Sequence, residues 1–197
     1  MNDVAKGKKN AADIQTYFAK TELPSHAFQM HFTSNHDENS WNGTEMERMG
    51  EARFAMAVLA ATIHGMPLVY NGQETSLDRR LKFFDKDSIN WEKMNLVDFY
   101  TQLLKLHQKN EALYVGEGQV APKFLSSSEQ TDVLIYAREL NNSKVMVVLN
   151  LSNQTKKITL PAAAAGSYTN LFTQKMQVLK DKENLSLAPW GYAVYVR

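Results

Sequence analysis

The hydrophobic pattern of this chain changes its period once, near residue 112, and this change limits the folds open to it. Before that point, apolar residues recur at helical spacing in two long segments, with short apolar runs between them. After it, apolar and β-branched residues follow the alternation that is typical of strands. The sequence therefore predicts an α/β region over residues 1–112 and an all-β domain over residues 113–197.

The order of elements in the first region favours a parallel sheet. Residues 27–33 are short and aromatic-rich, and indicate a strand. A helix is predicted to begin at Thr44, which fits a capping box with Glu47, and to run to residue 63. Residues 68–70 then predict a second strand, and residues 97–110 a second helix. Strand, helix and strand joined by short links are typical of a βαβ unit.

The second region favours an antiparallel sandwich. Strands are predicted over residues 133–140, 144–151, 157–160 and 191–196. Asn141, Asn142 and Ser143 separate the first two of these as a hairpin turn. Short strands at such regular spacing are typical of sandwiches, so the predicted fold class is α/β followed by all-β.

The composition excludes several classes of protein. The 197 residues carry a formal net charge of +1, which provides no basic field for nucleic acid. The absence of cysteine excludes disulfides, thiolate nucleophiles and thiolate metal ligands. No apolar run approaches the length of a membrane span. Residues 1–9 lack the apolar stretch of a signal peptide, so none is predicted and the localisation stays unknown.

The segment over residues 32–41 carries the most chemistry. It places Asn35, His36, Asp37 and Trp41 directly after the first predicted strand. Ligands bind at the carboxyl ends of the strands in parallel α/β sheets and barrels, so this position favours a functional loop. Asparagine, aspartate and serine are also the usual residues of turns, and a plain turn is the alternative.

The same segment resembles a known family. Phe32-x-x-Asn35-His36-Asp37 is similar to the fourth sequence region of the α-amylase family, glycoside hydrolase family 13. Similar segments follow in the family's order, at residues 65–74, residues 80–87 with Trp91, residues 99–111 and residues 187–195. The resemblance runs from about residue 28 to the end. It implies the last two βα units of a (β/α)₈ TIM barrel, followed by the family's C-terminal β-sandwich.

The family cleaves α-glucosidic bonds with retention, which requires a nucleophilic carboxylate and a second carboxyl group as acid and base. Both come from earlier barrel strands that the resemblance does not reach. A (β/α)₈ barrel alone takes about 250 residues, so this chain is too short for a barrel and a β domain. The resemblance therefore implies a C-terminal fragment of an α-glucan hydrolase, inactive by itself. No cofactor is visible, and calcium, common in the family, has its ligands mostly in segments outside this chain.

The resemblance also assigns roles to individual residues. Asp37 matches the third catalytic carboxylate, which stabilises the transition state by holding the hydroxyls of the distorted sugar. His36 matches the neighbouring histidine that hydrogen-bonds the same sugar. Asn35, Trp41 and Arg80 complete the predicted substrate-binding set. Many members carry arginine three residues after the aspartate, where this chain has serine.

Each of these assignments has a structural alternative. Trp41 is predicted either to stack on glucose or to pack against the barrel rim. Arg80, like Arg79 beside it, is predicted by default to pair with Asp78 or Asp85, and contact with a sugar is the alternative. His31, His36 and Asp37 lack both a helical metal-ligand spacing and an evident third ligand, so no metal site is predicted.

Two predictions concern partners. The expected ligand is an α-glucan or maltooligosaccharide, with no nucleic acid or membrane. Two strands of an eight-stranded barrel expose unpaired edges, which predicts self-association through them. A different class of function stays open from the residues alone, namely a stand-alone, non-catalytic β-sandwich module that binds glucan or another protein.

Overall fold

Helices and strands are unevenly distributed along the chain. The computed structural model describes all residues 1–197. The helices are α1 (Asn2–Ala5), α2 (Ala11–Lys20), α3 (Glu45–Met49), α4 (Ala52–Thr62) and α5 (Val97–Lys109). The strands are β1 (Met30–His31), β2 (Met66–Pro67), β3 (Lys123–Leu125), β4 (Val133–Leu140), β5 (Ser143–Asn150), β6 (Lys156–Thr159), β7 (Gly166–Asn170), β8 (Met176–Leu179), β9 (Asn184–Leu187) and β10 (Tyr192–Val196). None of the helices is long and apolar enough to cross a bilayer.

A six-stranded antiparallel sheet in the order β3-β4-β5-β10-β7-β8 dominates the second half. The predicted hairpin is confirmed, since β4 and β5 pair from Val133 with Asn150 to Leu140 with Ser143. Asn141 begins the turn at a φ of 54°, a left-handed conformation that asparagine tolerates. The chain is thus mostly antiparallel β structure with helices, as the change of period predicts.

The two faces of this sheet bury different partners. Leu134 and Tyr136 of β4 belong to a core that includes residues of α2, α4 and α5. Val133 and Ile135 point to the opposite face, where Ile158 of β6 and Leu187 of β9 complete a second core. β6 and β9 form a separate two-stranded sheet, so the antiparallel region has two layers.

Four strands, β3, β7, β8 and β9, lie outside the predicted set. Residues Met176 and Val178 of β8 are exposed at the edge of the large sheet. Because β8 is short and mostly exposed, it lacks the alternation that identifies a half-buried strand from sequence. Residues Ala162–Ala164, expected to be a loop, form one turn of 3₁₀ helix.

The strand, helix and strand arrangement in the first half is confirmed, but its strands are shorter than predicted. β1 and β2 pair in parallel, Met30 with Met66 and His31 with Pro67. The prediction that residues 68–70 form the second strand is wrong. The N–H of Leu68 still donates to the carbonyl of His31, but the N–H of Tyr70 is taken by the side chain of Gln73, which turns the chain away from the ladder.

The predicted helix over residues 44–63 is interrupted. Its capping box is confirmed, because Thr44 Oγ1 accepts from the N–H of Glu47 and the Glu47 carboxylate accepts from the N–H of Thr44. Gly50 has a φ of 55° and ψ of −136° and separates α3 from α4, because this conformation ends a right-handed helix. Met46 is half exposed, so the expectation that the methionines of this predicted helix, Met46, Met49 and Met56, are core residues is wrong at Met46.

Three half-buried or buried histidines surround the end of α4. The ring N–H of His31 donates to the carbonyl of His64 at 2.9 Å, and that of His107 donates to the carbonyl of Ala61 at 3.0 Å. The rings of His31 and His64 both pack edge-on against Phe18. Burial lowers the pKa of all three imidazoles below the ordinary value of 6.5.

These lowered pKa values predict a loss of stability in mild acid. Between the folded pKa and 6.5 the unfolded chain binds more protons, so the free energy of unfolding falls as the pH falls through that interval. We expect a shallower fall in the His31→Gln/His107→Gln double variant than in the parent chain, measured by urea unfolding from about pH 7.5 to about pH 5. Burial raises the pKa of Glu45, and this shift changes the free energy of unfolding with pH in the opposite direction. The histidine contribution is therefore read from the difference between the variants and the parent chain. His26→Gln, at an exposed position, is the control, and equal slopes in all three proteins contradict the prediction.

Candidate active site at the carboxyl end of β1

The predicted functional loop follows β1 and presents His36 and Asp37 to solvent. Asn35 Oδ1 accepts from the N–H of Glu38 at 2.7 Å, which closes a tight turn over the two residues between them. The side chains of His36 and Asp37 are 66% and 59% exposed, with His36 Nε2 3.7 Å from Asp37 Oδ2. An ionised carboxylate so exposed can accept hydrogen bonds from two hydroxyl groups, and the imidazole can donate one more.

Asn35 has a structural role in this arrangement. Its side chain is half-buried and its carbonyl oxygen is used by the turn. The loop then forms one π-helical turn over Glu38–Asn42, and Gly43 leads into α3 at a φ of 120°. The turn and the functional loop, which are alternatives in the sequence, coexist here because the turn presents the two exposed side chains.

A single buried guanidinium, that of Arg48, holds both ends of the loop. Its Nη2 donates to the carbonyl of Thr33 at 2.7 Å and its Nε donates to the carbonyl of Gly43 at 2.9 Å. Its Nη1 lies 3.2 Å from a carboxylate oxygen of Glu38, in the middle of the loop. Burial lowers the pKa of Arg48, and Glu38 opposes that shift. The conformation of the loop that carries Asp37 therefore depends on a residue of α3 that the sequence does not mark as functional.

A buried polar network lies below the loop and connects four segments. Gln73 Nε2 lies 2.8 Å from Thr33 Oγ1, 3.0 Å from Glu45 Oε1 and 3.0 Å from the hydroxyl of Tyr100. Gln73 Oε1 accepts from the N–H of Tyr70. Burial raises the pKa of both Glu45 and Tyr100. These bonds fix the carboxyl end of β1 against α3, α5 and the turn after β2, which makes the base of the site rigid.

The arginines after β2 pair differently from the prediction. The guanidinium of Arg79 binds both carboxylate oxygens of Asp87, at 2.9 and 2.7 Å, and Arg79 holds the pKa of Asp87 well below its usual range. Arg80 binds both oxygens of Glu47 in α3, at 3.1 and 3.3 Å, and no aspartate of its own loop. Because Glu47 also caps α3, the Arg80 side chain is attached to the helix that follows the Asp37 loop.

Trp41 is both exposed and packed. The residue is 56% exposed. The centroid of its ring lies 5.1 Å from the ring centroid of Phe83 and 6.1 Å from that of Phe84. The ring of His36 stacks on Phe83 at 5.8 Å, with 26° between the planes. Neither phenylalanine has a role predicted from the sequence, and consecutive aromatic residues in a charged loop are the one signal that marks them.

The structure thus brings most predicted residues to one surface. His36, Asp37 and Trp41 share a loop, and Arg80 approaches it through Glu47, whereas Asn35 supports the turn from within. No three histidine, cysteine, aspartate or glutamate side chains among residues 1–197 lie close enough together to hold a metal ion.

Comparison with known proteins identifies similar proteins over most of the chain. Residues 123–194 match the family model described as the maltogenic amylase C-terminal domain. The cyclomaltodextrinase of Geobacillus thermopakistaniensis is 29% identical over 143 residues, covering 68% of this chain and 23% of that protein. Alpha-amylase 2 of Dictyoglomus thermophilum is 25% identical over 181 residues, covering 84% of this chain and 29% of that protein. The similarity of this chain to amylases and related enzymes therefore extends over most of its length.

The structural comparison shows a shared fold over nearly the whole chain. The crystal structure of a maltogenic α-amylase, AmyB, from Thermotoga neapolitana superimposes with a TM-score of 0.79 at 18% identity, covering 98% of this chain and 47% of that one. The chain spans less than a third of the length of the two curated relatives. The match extends well before the β domain, so a stand-alone β-sandwich module is not favoured.

Proposed function

We propose that this chain is the C-terminal part of a retaining α-glucan hydrolase in which Asp37 stabilises the transition state. The observation that carries the proposal is the exposed pair of His36 and Asp37 at the carboxyl end of a parallel strand. The negative charge of Asp37 favours the positive charge that develops at the anomeric carbon, while its two oxygens accept sugar hydroxyls. The name of the cyclomaltodextrinase relative supports an α-glucan or maltooligosaccharide as the ligand class.

The helical half fits the last part of a (β/α)₈ barrel. We infer that β1 and β2 are its seventh and eighth strands, with the boundary to the β domain near residue 112. The parallel pairing of β1 with β2, connected through α3 and α4, supports this inference. A cavity of about 390 Å³ is lined by residues of β1, α1 and α2 and by none of β2. The cavity therefore lies beside the free edge of β1, where the sixth strand of a barrel would pair. Self-association through the same edge stays a prediction.

His36, Trp41 and Arg80 are proposed to position the sugar at Asp37. His36 donates to a hydroxyl, and the exposed face of Trp41 provides an apolar surface beside it. The guanidinium of Arg80 is half exposed and pairs with Glu47. It therefore places a positive charge and N–H donors at the rim of the site. The chemistry of bond cleavage is assigned to a nucleophile and an acid/base that other strands of the barrel supply.

The 197-residue chain by itself is expected not to hydrolyse starch or nitrophenyl maltoside. Retaining cleavage requires both members of the nucleophile and acid/base pair, and Asp37 has neither role in the proposal. Release of reducing sugar or nitrophenol measures this directly. The Asp37→Asn chain is the matched control, because a contaminating amylase would be equally active in both preparations. Turnover that persists on repurification and disappears in Asp37→Asn contradicts the proposal.

A further inference from the structure

The large antiparallel sheet ends at β8, which has a partner strand on one side only. The N–H of Asn170 in β7 donates to the carbonyl of Lys175, just before β8, so the two residues form a hydrogen-bonded pair. Antiparallel ladders alternate between bonded and non-bonded pairs. Met176 and Val178 of β8 therefore direct their N–H and C=O groups away from β7, toward the free edge.

This free edge is short, because a turn closes each of its ends. Before β8, Gln174 has a φ of 56° and donates its N–H back into β7. After β8, the N–H of Lys180 donates to the carboxylate of Glu183 at 3.3 Å, and the carbonyl of Lys180 accepts from the N–H of Glu183 at 3.2 Å. The outward main-chain groups of β8 are therefore two N–H and two C=O groups, on Met176 and Val178.

The side chains along this edge are apolar and exposed. Met176 and Val178 lie on one face of the sheet and are 79% and 65% exposed. Edge strands are usually protected from pairing by a charged residue, a proline or a bulge within the strand. β8 has the sequence Met-Gln-Val-Leu and contains neither a charge nor a proline, so its edge remains suited to pairing with another strand.

We propose that β8 pairs antiparallel with β8 of a second copy of this chain, about a two-fold axis at Gln177. In this register Met176 of each copy lies opposite Val178 of the other. The two outward N–H groups of each strand then donate to the two outward carbonyls of the other, which gives four interstrand hydrogen bonds. The inference does not rest on the proposed function, because β8 belongs to the β domain.

The hydrogen-bonding groups select this register over its neighbours. An axis at Met176 places Val178 opposite Gln174, and an axis at Val178 places Met176 opposite Lys180. The N–H groups of Gln174 and Lys180 are already used by their turns. A shift by one residue places outward groups opposite inward ones. The axis at Gln177 is the one that pairs all the outward groups of β8.

The side chains are also self-complementary in this register. The two exposed apolar side chains of each copy face those of the other, and such cross-strand pairs stabilise antiparallel sheets. Lys175 lies opposite Leu179, and Lys180 lies opposite Gln174, so no like charges meet. A pattern that matches itself satisfies the condition for a two-fold contact, which favours a second copy over an unrelated strand and closes at a dimer.

Sedimentation velocity of the 197-residue chain tests the proposal. The interface is small, so we expect a Kd of about 0.1 mM, measured from about 10 µM to about 1 mM. Val178→Pro removes one outward N–H group while leaving the ladder to β7 intact, and is expected to raise the Kd at least about tenfold. Val178→Ile is the matched control, because it keeps the N–H group and the β-branched shape, and its Kd is expected within about twofold of the parent value.

Two double variants test the register itself. Met176→Lys/Val178→Lys places ammonium groups opposite each other and is expected to abolish the association. Met176→Glu/Val178→Lys places the carboxylate at position 176 opposite the ammonium at position 178 of the second copy, and is expected to restore it. Both positions are exposed, so circular dichroism spectra like that of the parent chain are expected for all variants.

The opposite results overturn the proposal. A chain that stays monomeric at about 1 mM does not pair through β8. Association that Val178→Pro leaves unchanged occurs elsewhere, for example at the free edge of β1. Assemblies larger than a dimer that Val178→Pro reduces, or association that both double variants lose, show that β8 pairs with a different strand rather than with its own copy.

Discussion

Replacing Asp37 with asparagine in the longer enzyme that supplies the nucleophile and acid/base is expected to lower kcat by about a thousandfold or more. Asparagine keeps the size of the side chain and part of its hydrogen bonding, so the sugar still binds. It removes the negative charge, which matters most when positive charge develops in the transition state. We therefore expect kcat to fall far more than KM rises.

Steady-state kinetics on maltohexaose measures both constants. Asp85→Asn is the matched control, since it removes another exposed carboxylate from the neighbouring loop, where the ammonium of Lys82 lies 4.0 Å away. A retained circular dichroism spectrum is expected for both variants, because neither side chain is buried. If Asp37→Asn keeps kcat within about threefold of the parent, Asp37 does not belong to the catalytic set.

Replacing Arg138 with methionine is expected to destabilise the chain by about 3–5 kcal/mol. Its side chain is 1% exposed and donates to the carbonyls of Ile63, Tyr114 and Val120, each at 3.1 Å. Burial lowers its pKa to about 10, so it stays charged at neutral pH. Methionine fills similar volume but leaves three carbonyl groups without donors between the end of α4 and the large sheet, and this loss of hydrogen bonds dominates the effect.

Urea unfolding of the 197-residue chain tests this through a lower transition midpoint at unchanged slope. Arg197→Met is the control, because Arg197 is half exposed and its ion pair with Glu139 contributes about 0.5 kcal/mol or less. The free energy of unfolding of Arg138→Lys is expected to lie between those of the parent and of Arg138→Met, since a single ammonium cannot reach all three carbonyls. Arg138→Lys also provides a folded variant if Arg138→Met does not fold. If the free energy of unfolding of Arg138→Met lies within about 1 kcal/mol of the parent value, the three hydrogen bonds of Arg138 do not stabilise the fold as proposed.

The sequence predicts those parts of the fold that depend on residues close together in the chain. The hairpin of β4 and β5 follows from alternation on both sides of an asparagine turn, and the capping box at Thr44 follows from residue types at fixed spacing. β1 and β2 are harder to predict because a parallel pair gains its length from neighbours on both edges, and here each strand has one partner. The interruption at Gly50 depends on a backbone conformation that the apolar spacing of the helix conceals.

The candidate site likewise has parts that the sequence can predict and parts that it cannot. The types of Asp37, His36 and Trp41 and their place after a strand leave a turn and a functional loop as alternatives, and their predicted roles come from the resemblance to the α-amylase family. The clamp by Arg48 and the network of Gln73 depend on carbonyls and side chains brought together from distant segments. Phe84 gains significance only from its contact with Trp41, across a separation of more than forty residues.

The position of β10 has a consequence for synthesis. β10 is the strand latest in sequence, yet it lies at the centre of the large sheet, between β5 and β7. During translation the β4–β5 and β7–β8 hairpins emerge first and can form separately, with the edges of β5 and β7 still open. Only the final strand joins them and closes both edges. The nascent β domain is therefore exposed to mispairing until β10 has been synthesised and has paired, and chaperone protection matters most before that moment.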